Sequence, residues 1–206
     1  MVKDLFYASA KKYGATPETV NFYWGEVVRD YSAEGRHYHT IDHLEDMVVL
    51  LDEFRSWVRR WDILLMAVIY HDLSYDPAAS NNEEQSAQLA DLHLSGLDYS
   101  PAEMKLCRKH ILATKTHQEA DYSDTNLLLD ADMAILGSDW NRYRNYSNSV
   151  RREYAIYTDD QYACGRKAVL QMFLMQPRIF HTEPFFNRFE EQARLNLGRE
   201  LMSLEA

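Results

Sequence analysis

The chain has 206 residues, of which 46% are hydrophobic and only 7 are glycine, which suits one large helical domain or one domain with a helical extension. Its formal net charge of −10 argues against duplex nucleic acid as the main partner, because such binding depends on Lys and Arg side chains that neutralise phosphates. No apolar segment is long enough to span a membrane, and the two cysteines form neither a metal-binding nor a disulfide motif. We therefore expect a reduced, cytoplasmic protein that does not bind a membrane.

Residues 1–35 predict two helices separated by a turn. Residues 4–13 form a short helix that ends at Gly14, and Thr16-Pro17-Glu18 then provides an N-cap, a first-turn proline and a first-turn acid for a second helix. The second helix runs to about Ala33. Its apolar and aromatic residues recur at intervals of three and four, which is typical of core packing: Val20, Tyr23, Trp24, Val27, Val28 and Tyr31.

A histidine-rich loop follows Gly35 and leads into a third predicted helix. Residues 36–39 form this loop, and Thr40 is placed to N-cap a helix that continues through the amphipathic residues 44–54. His39 then precedes the helix and His43 lies in its first turn, so both side chains face the same side. Loops that a rigid element supports are common places for side chains that point at a pocket.

The most apolar stretch of the chain, residues 63–69, predicts a buried helix, because it is too short to span a bilayer. The stretch is followed by His71 and Asp72, whose adjacent imidazole and carboxylate could reach one cation. Nitrogen and oxygen donors together favour Mn, Fe, Co, Ni, Zn or Mg over a structural thiolate site. The alternative is a helix-terminal aspartate beside a hydrogen-bonded histidine, with no metal.

Asp132 is an acidic residue within a second apolar helical stretch. Apolar residues precede and follow it, and a carboxylate in a buried helix is costly unless a partner compensates its charge. A cation would remove that cost. Asp130 stands two residues earlier, so it faces another side of the helix, where we expect it to make a structural hydrogen bond.

The series His43, His71-Asp72 and Asp132 resembles the signature of the HD superfamily of metal-dependent phosphohydrolases. Longer motifs are similar to a branch of bacterial HD proteins of about this length, known as predicted metal-dependent phosphohydrolases: Tyr38-His39-Thr40-x-x-His43, Tyr70-His71-Asp72-x-x-Tyr75-Asp76-Pro77, Asn82-Glu83-Glu84-x-Ser86-Ala87, Ile111-Leu112-Ala113-Thr114-Lys115-x-His117 and Asp130-Ala131-Asp132-Met133. The resemblance extends from about Tyr23 to Leu201. It implies an all-α HD-domain helical bundle as a single domain over residues 1–206, with a core at about 20–140 and a helical C-terminal extension at about 140–206.

The resemblance also implies a metal site and its chemistry. One divalent metal ion (Mn, Mg, Fe, Co, Ni or Zn) would bind to His43, His71, Asp72 and Asp132, and a water on that metal would attack a phosphate ester. We therefore predict that Asp72 is both a metal ligand and a catalytic residue. His39 is similar to the proton-donating histidine of cyclic-nucleotide phosphodiesterases, although Thr40 replaces the asparagine of their motif, so we predict that His39 protonates the leaving group.

Further candidate residues flank this set. The turn-rich residues 74–81 suit the rim of a site, and Glu83-Glu84 opens the next helix, where two acids are also favourable against the helix dipole. We predict Glu84 as a base or water-orienting group. Residues expected to bind the substrate or to support a metal ligand are Arg36, Asp76, His110, Lys115 and His117. His110 and His117 lie seven residues apart and share one face if their helix continues. Either histidine could instead have a structural role. Lys115 could instead stabilise the C-terminus of its helix.

The remaining sequence predicts three more helical segments. Ser100-Pro101-Ala102-Glu103 forms a capping box that opens a helix, and residues 184–201 form a last amphipathic helix. Residues 139–157 carry a stripe of aromatic residues that suits packing in the core or at an interface. Several arginines lie in and after this stretch, Arg166 among them, and either form salt bridges or bind an anionic group.

The predicted function is metal-dependent hydrolysis of a phosphate ester of a nucleotide or a related small metabolite. Two alternatives stay open, namely a non-catalytic regulatory HD module that binds metal and ligand, and an HD-fold oxygenase with a di-iron site. The intact ligand set disfavours an inactive scaffold, and the lack of secure ligands for a second metal disfavours the oxygenase. The expected partner is a small phosphorylated substrate, and a homodimer is one expected assembly, since HD proteins are commonly dimers.

Overall fold

The computed structural model describes residues 1–205, and every regular element in this part of the chain is a helix, which confirms the predicted all-α class. Two short 3-10 helices cover Arg55–Trp57 and Ala134–Gly137. The α-helices are α1 (Val2–Lys12), α2 (Pro17–Tyr31), α3 (Ile41–Glu53), α4 (Trp61–Tyr70), α5 (Asn82–Gly96), α6 (Pro101–Ala113), α7 (Ser123–Met133), α8 (Trp140–Glu153), α9 (Asp159–Met175) and α10 (Glu183–Glu205). No helix in this described part combines the length and apolar character needed to cross a bilayer.

Side-chain caps fix the start of several helices where the sequence predicts them. Thr16 accepts a hydrogen bond from the backbone N–H of Thr19, and Ser100 forms the predicted capping box with Glu103. A second capping box, at Thr158 and Gln161, opens α9, for which the sequence analysis predicted no boundaries. Predicted and observed ends differ by a few residues, since α2 ends two residues before Ala33 and α10 extends four residues beyond Leu201 to Glu205.

The chain forms two compact units, and the boundary between them falls inside α7. The first unit comprises Met1–Leu129, and α4 is its central helix, because α1, α3, α5 and α6 all pack against it. Every residue from Ile63 to Tyr70 is buried, as the continuous apolar run predicts. The second unit begins at Asp130. The predicted single domain with a core at about 20–140 stays a prediction.

A buried carboxylate fixes the start of α4 within the first unit. Asp124, in the first turn of α7, accepts hydrogen bonds from the backbone N–H groups of Arg59 (2.9 Å) and Arg60 (2.8 Å), the two residues that precede α4. Asp124 is fully buried, so its charge depends on these donors for compensation. The contact therefore determines where the central helix begins.

In the second unit, α10 packs against α9 and against the 3-10 helix Ala134–Gly137. Arg166 of α9 and Glu200 of α10 form a buried bidentate ion pair, with N···O distances of 2.9 and 3.0 Å. Burial alone would raise the pKa of Glu200, but the Arg166 guanidinium outweighs it and the pKa is lowered. Asp130 accepts hydrogen bonds from the backbone of His181 and from both the backbone and the hydroxyl of Thr182, which confirms its predicted structural role.

We expect Asp124→Ala to lower the free energy of unfolding by about 3 kcal/mol, because two backbone N–H groups lose a buried, charged acceptor. Asp124→Asn keeps one acceptor oxygen and should lose about half as much. Urea unfolding followed by circular dichroism measures both. The matched control is Asp121→Ala, in the exposed segment just before α7, and an unchanged unfolding midpoint in Asp124→Ala would contradict the anchoring role.

Candidate metal centre

Two packed helices bring His43 and His71 together. His43 lies in the first turn of α3, after the N-cap residue Thr40, and His71 is the C-cap residue of α4. Because α3 packs against α4, the two imidazole centroids lie 5.5 Å apart, and the residues are only 3% and 1% exposed. Thr40 occupies the predicted N-cap position, but its side chain makes no capping hydrogen bond.

Asp132, the last of the four predicted ligands, lies in the last turn of α7, which is one continuous helix from Ser123 to Met133. Its side chain is half-buried. Its role as a ligand stays a prediction.

The tautomer of His71 follows from its main-chain partner. Its Nδ1 atom lies 2.8 Å from the carbonyl oxygen of Val68, and a carbonyl oxygen can only accept, so Nδ1 carries the proton. The remaining ring nitrogen, Nε2, then presents its lone pair when the imidazole is neutral. A histidine that binds metal through one nitrogen and donates to a carbonyl through the other has this arrangement.

Asp72 lies between a candidate ligand and the candidate acid. Its Oδ2 atom is 3.2 Å from Nε2 of His71 and 3.8 Å from Nε2 of His39, and its side chain is 18% exposed. A carboxylate oxygen that faces a lone pair at 3.2 Å is repelled unless a proton or a cation lies between them. The pair formed by His71 and Asp72 therefore suits a shared cation.

His39 lies beside His43 and Asp72. Its imidazole centroid is 5.9 Å from that of His43, and its ring packs against the ring of Tyr75 with centroids 4.5 Å apart at an angle of 31°. Tyr38 contacts the His39 ring edge-on at 5.0 Å. The structure thus brings the predicted acid to the predicted ligands, as the spacing of His39 and His43 indicated.

Arg36 contacts backbone carbonyls. Its two terminal nitrogens donate to the carbonyl oxygens of His39 (3.0 Å) and Leu73 (2.8 Å). Its guanidinium also lies 4.7 Å from the ring centroid of Tyr31 and 5.2 Å from that of Tyr75. Arg36 therefore joins the loop that precedes α3 to the segment that follows His71 and Asp72.

Glu84 is paired with Lys115. The ammonium of Lys115 donates to Oε1 of Glu84 (2.5 Å) and to the carbonyl oxygen of Ser80 (2.7 Å). The hydrogen bond from Lys115 lowers the pKa of Glu84, which makes this carboxylate a weak base near neutral pH. The two residues hold the rim loop at residues 74–81 against the end of α6.

Side chains of α5 hold the backbone of the same loop. The amide group of Asn82 binds both the N–H (3.0 Å) and the carbonyl oxygen (2.8 Å) of Asp76, and the hydroxyl of Ser86 binds both backbone groups of Ser74. The carboxylate of Asp76 itself accepts from the N–H of Ala78. Tyr75, Asn82 and Ser86 all belong to the sequence motifs, but residue type and spacing alone predicted no role for them.

His110 and His117 do not lie on one helical face. α6 ends at Ala113, and His117 follows in a turn with a φ of 50°, so the condition for a shared face is not met. His110 is fully buried, and its Nδ1 atom lies 2.8 Å from the hydroxyl of Thr125 on α7. Burial lowers the pKa of His110 to about 4, so its ring is neutral at neutral pH.

No model of a protein family, no curated protein and no solved structure matches this chain. Membership of the HD superfamily therefore stays a prediction. The interpretation of the site depends on the residues, their spacing and the geometry described above.

The pKa of His110 predicts a loss of stability in acid. The folded state holds its pKa near 4 while the unfolded value is about 6.5, so the unfolded chain binds the proton first as the pH falls. The contribution of His110 is complete above pH 6.5, and about 3 kcal/mol is lost by pH 4. His110→Asn lacks the titrating ring and should show a shallower decrease.

Urea unfolding at several pH values between 7 and 4 measures this difference. His37→Asn, at a half-buried loop position, is the control, and its unfolding curve should follow the wild type. Parallel pH dependences for the wild type and His110→Asn would contradict the assignment.

Proposed function

We propose that this chain is a metal-dependent phosphohydrolase of the HD type that cleaves a phosphate ester of a nucleotide or a related small metabolite. The observation that carries the proposal is the pair of buried histidines His43 and His71, whose ring centroids lie 5.5 Å apart, with the carboxylate of Asp72 3.2 Å from Nε2 of His71. The motifs around these residues, quoted above, support the same reaction class.

The donor set fits a first-row divalent metal. His43, His71 and Asp72 offer two imidazoles and one carboxylate, which leave positions for a further ligand, water and substrate. The Val68 carbonyl holds the His71 ring in the tautomer that a metal requires. Asp132 is the fourth ligand in this proposal, as the sequence motif implies. A bound metal would supply an acidified water and would offset negative charge on the phosphoryl oxygens.

His39 is the proton donor in this proposal. A leaving alkoxide needs a proton, and a positioned acid contributes on the order of 10²–10⁴ in rate. The His39 ring lies next to the proposed ligands His43 and Asp72, and the carboxylate of Asp72 is 3.8 Å from its Nε2 atom.

Lys115 provides local positive charge in a chain whose net charge is −10. Two of its N–H donors bind Ser80 and Glu84, and we assign the third to a phosphate oxygen of the substrate. Glu84 then orients this ammonium group. The lowered pKa of Glu84, which comes from the bond to Lys115, suits this role better than that of a general base.

Metal binding is the first test. We expect wild-type protein to bind about one equivalent of Mn²⁺ in calorimetric titration after chelator treatment. Asp132→Asn removes a carboxylate ligand and should weaken binding at least about tenfold, a typical effect of changes at a metal site. Asp4→Asn, at a side chain that is 90% exposed on α1, is the matched control and should bind as the wild type does. Equal affinity in all three proteins would exclude this site.

Hydrolysis is the second test, measured as phosphate release from nucleoside phosphates, sugar phosphates and p-nitrophenyl phosphate with Mn²⁺ present. His39→Gln should reduce kcat about 10²–10⁴-fold for alkyl esters, whose leaving group needs a proton. The same substitution should affect p-nitrophenyl phosphate far less, because nitrophenolate leaves without one. Equal losses on both ester types would contradict the role of His39.

The alternatives give different results in the same experiments. A regulatory module would bind the metal and turn over no ester in the panel. An oxygenase would contain iron and consume dioxygen. Either result would overturn the hydrolase proposal while leaving the metal site intact.

A further inference from the structure

Tyr75 has no role in the proposed chemistry, yet its ring contacts two residues of the site. The imidazole of His39 packs against it with centroids 4.5 Å apart at 31°, and the guanidinium of Arg36 lies 5.2 Å from its ring centroid. We propose that Tyr75 is a positioning residue that holds the imidazole of His39 in the orientation required for proton donation. This inference rests on the proposed function, in which His39 is the acid.

The backbone on both sides of Tyr75 is attached to α5. The backbone N–H of Ser74 donates to the hydroxyl of Ser86 (3.0 Å), and the backbone N–H of Asp76 donates to the side-chain oxygen of Asn82 (3.0 Å). Asn82 and Ser86 stand four residues apart, which places them on one face of the helix. The Tyr75 ring is therefore presented by a rigid element even though it lies in a loop.

Arg36 attaches the backbone of His39 to the same structure. One of its terminal nitrogens donates to the carbonyl oxygen of His39 and the other to the carbonyl oxygen of Leu73, two residues before Tyr75. The guanidinium thus fixes the main chain of His39 relative to the Tyr75 segment. The imidazole of His39 could still rotate about its side-chain bonds. The Tyr75 ring that packs against it restricts that rotation.

The orientation of His39 decides where its proton can go. A donor must reach within hydrogen-bond distance of the leaving oxygen, and a displacement of about 1 Å in an active site can cost about 10²-fold in rate. The ring of Tyr75 contacts both Arg36 and His39, and we assign the role to its aromatic face. Phenylalanine at position 75 keeps that face, whereas leucine removes it.

Nuclear magnetic resonance tests the contact without any substrate. Imidazole protons above an aromatic ring resonate upfield, so the Cε1–H signal of His39, identified by its loss in His39→Gln, should move downfield in Tyr75→Leu and stay in place in Tyr75→Phe. Spectra are recorded with Mg²⁺, a diamagnetic ion. Phe22→Leu removes an aromatic ring that is 62% exposed on α2, and this control should leave the His39 signal unchanged.

Kinetics test the role. With the phosphomonoester that the wild type hydrolyses fastest, Tyr75→Leu should lower kcat about ten- to a hundredfold and leave KM within about threefold, because ground-state binding is retained. Tyr75→Phe should recover most of the rate. The affinity of Tyr75→Leu for Mn²⁺ should equal that of the wild type, which separates positioning from damage to the metal site.

Two results would overturn the inference. An unmoved His39 signal in Tyr75→Leu would show that the rings are not in contact, and a rise in KM at constant kcat would make Tyr75 a substrate-binding residue. A wild type that hydrolyses no ester would overturn the role of Tyr75 together with the proposed function. In that case the resonance experiment would still establish the ring contact separately, so the two failures are distinguishable.

Discussion

The complete burial of α4 is the constraint on which the candidate centre depends. A helix with eight consecutive buried residues, Ile63 to Tyr70, has one position in the first unit, because moving it would expose apolar surface at about 25 cal/mol per Å². As a consequence, its C-cap residue His71 has a defined position. The carbonyl of Val68, in the same last turn, then sets the tautomer of that residue. Apolar packing thus determines the placement of a polar group.

Polar side chains fix the loops that apolar packing does not hold. Asp124 binds the two backbone N–H groups before α4, and Asn82 and Ser86 bind the backbone after His71 and Asp72. Both ends of the central segment are therefore held by side chains of other helices. The bonds to Asp124 are the stronger ones, because their acceptor is charged. A similar contact occurs in the second unit, where the carboxylate of Asp130 accepts a hydrogen bond from the backbone N–H of Thr182.

Local signals in the sequence were sufficient for most helices. Periodicity and capping residues predict α2, α4 and α6 to within about two residues, because caps and apolar spacing act over a few neighbouring positions. α9 had no predicted boundaries, although Thr158 and Gln161 form a capping box at its start. The position of His117 outside α6 was equally hard to predict, because α6 ends at Ala113 without a glycine or proline to mark its end.

The sequence by itself determined the all-α class and a short list of candidate metal ligands, because residue type and spacing carry that information. The tertiary structure decided which candidates of the first unit meet. It brought His43 to His71, directed Arg36 to backbone carbonyls and paired Glu84 with Lys115. It also placed Tyr75 on His39, across 36 positions of sequence. Contacts between distant positions depend on how helices pack, and side-chain volumes and crossing angles set that packing, which no local pattern encodes.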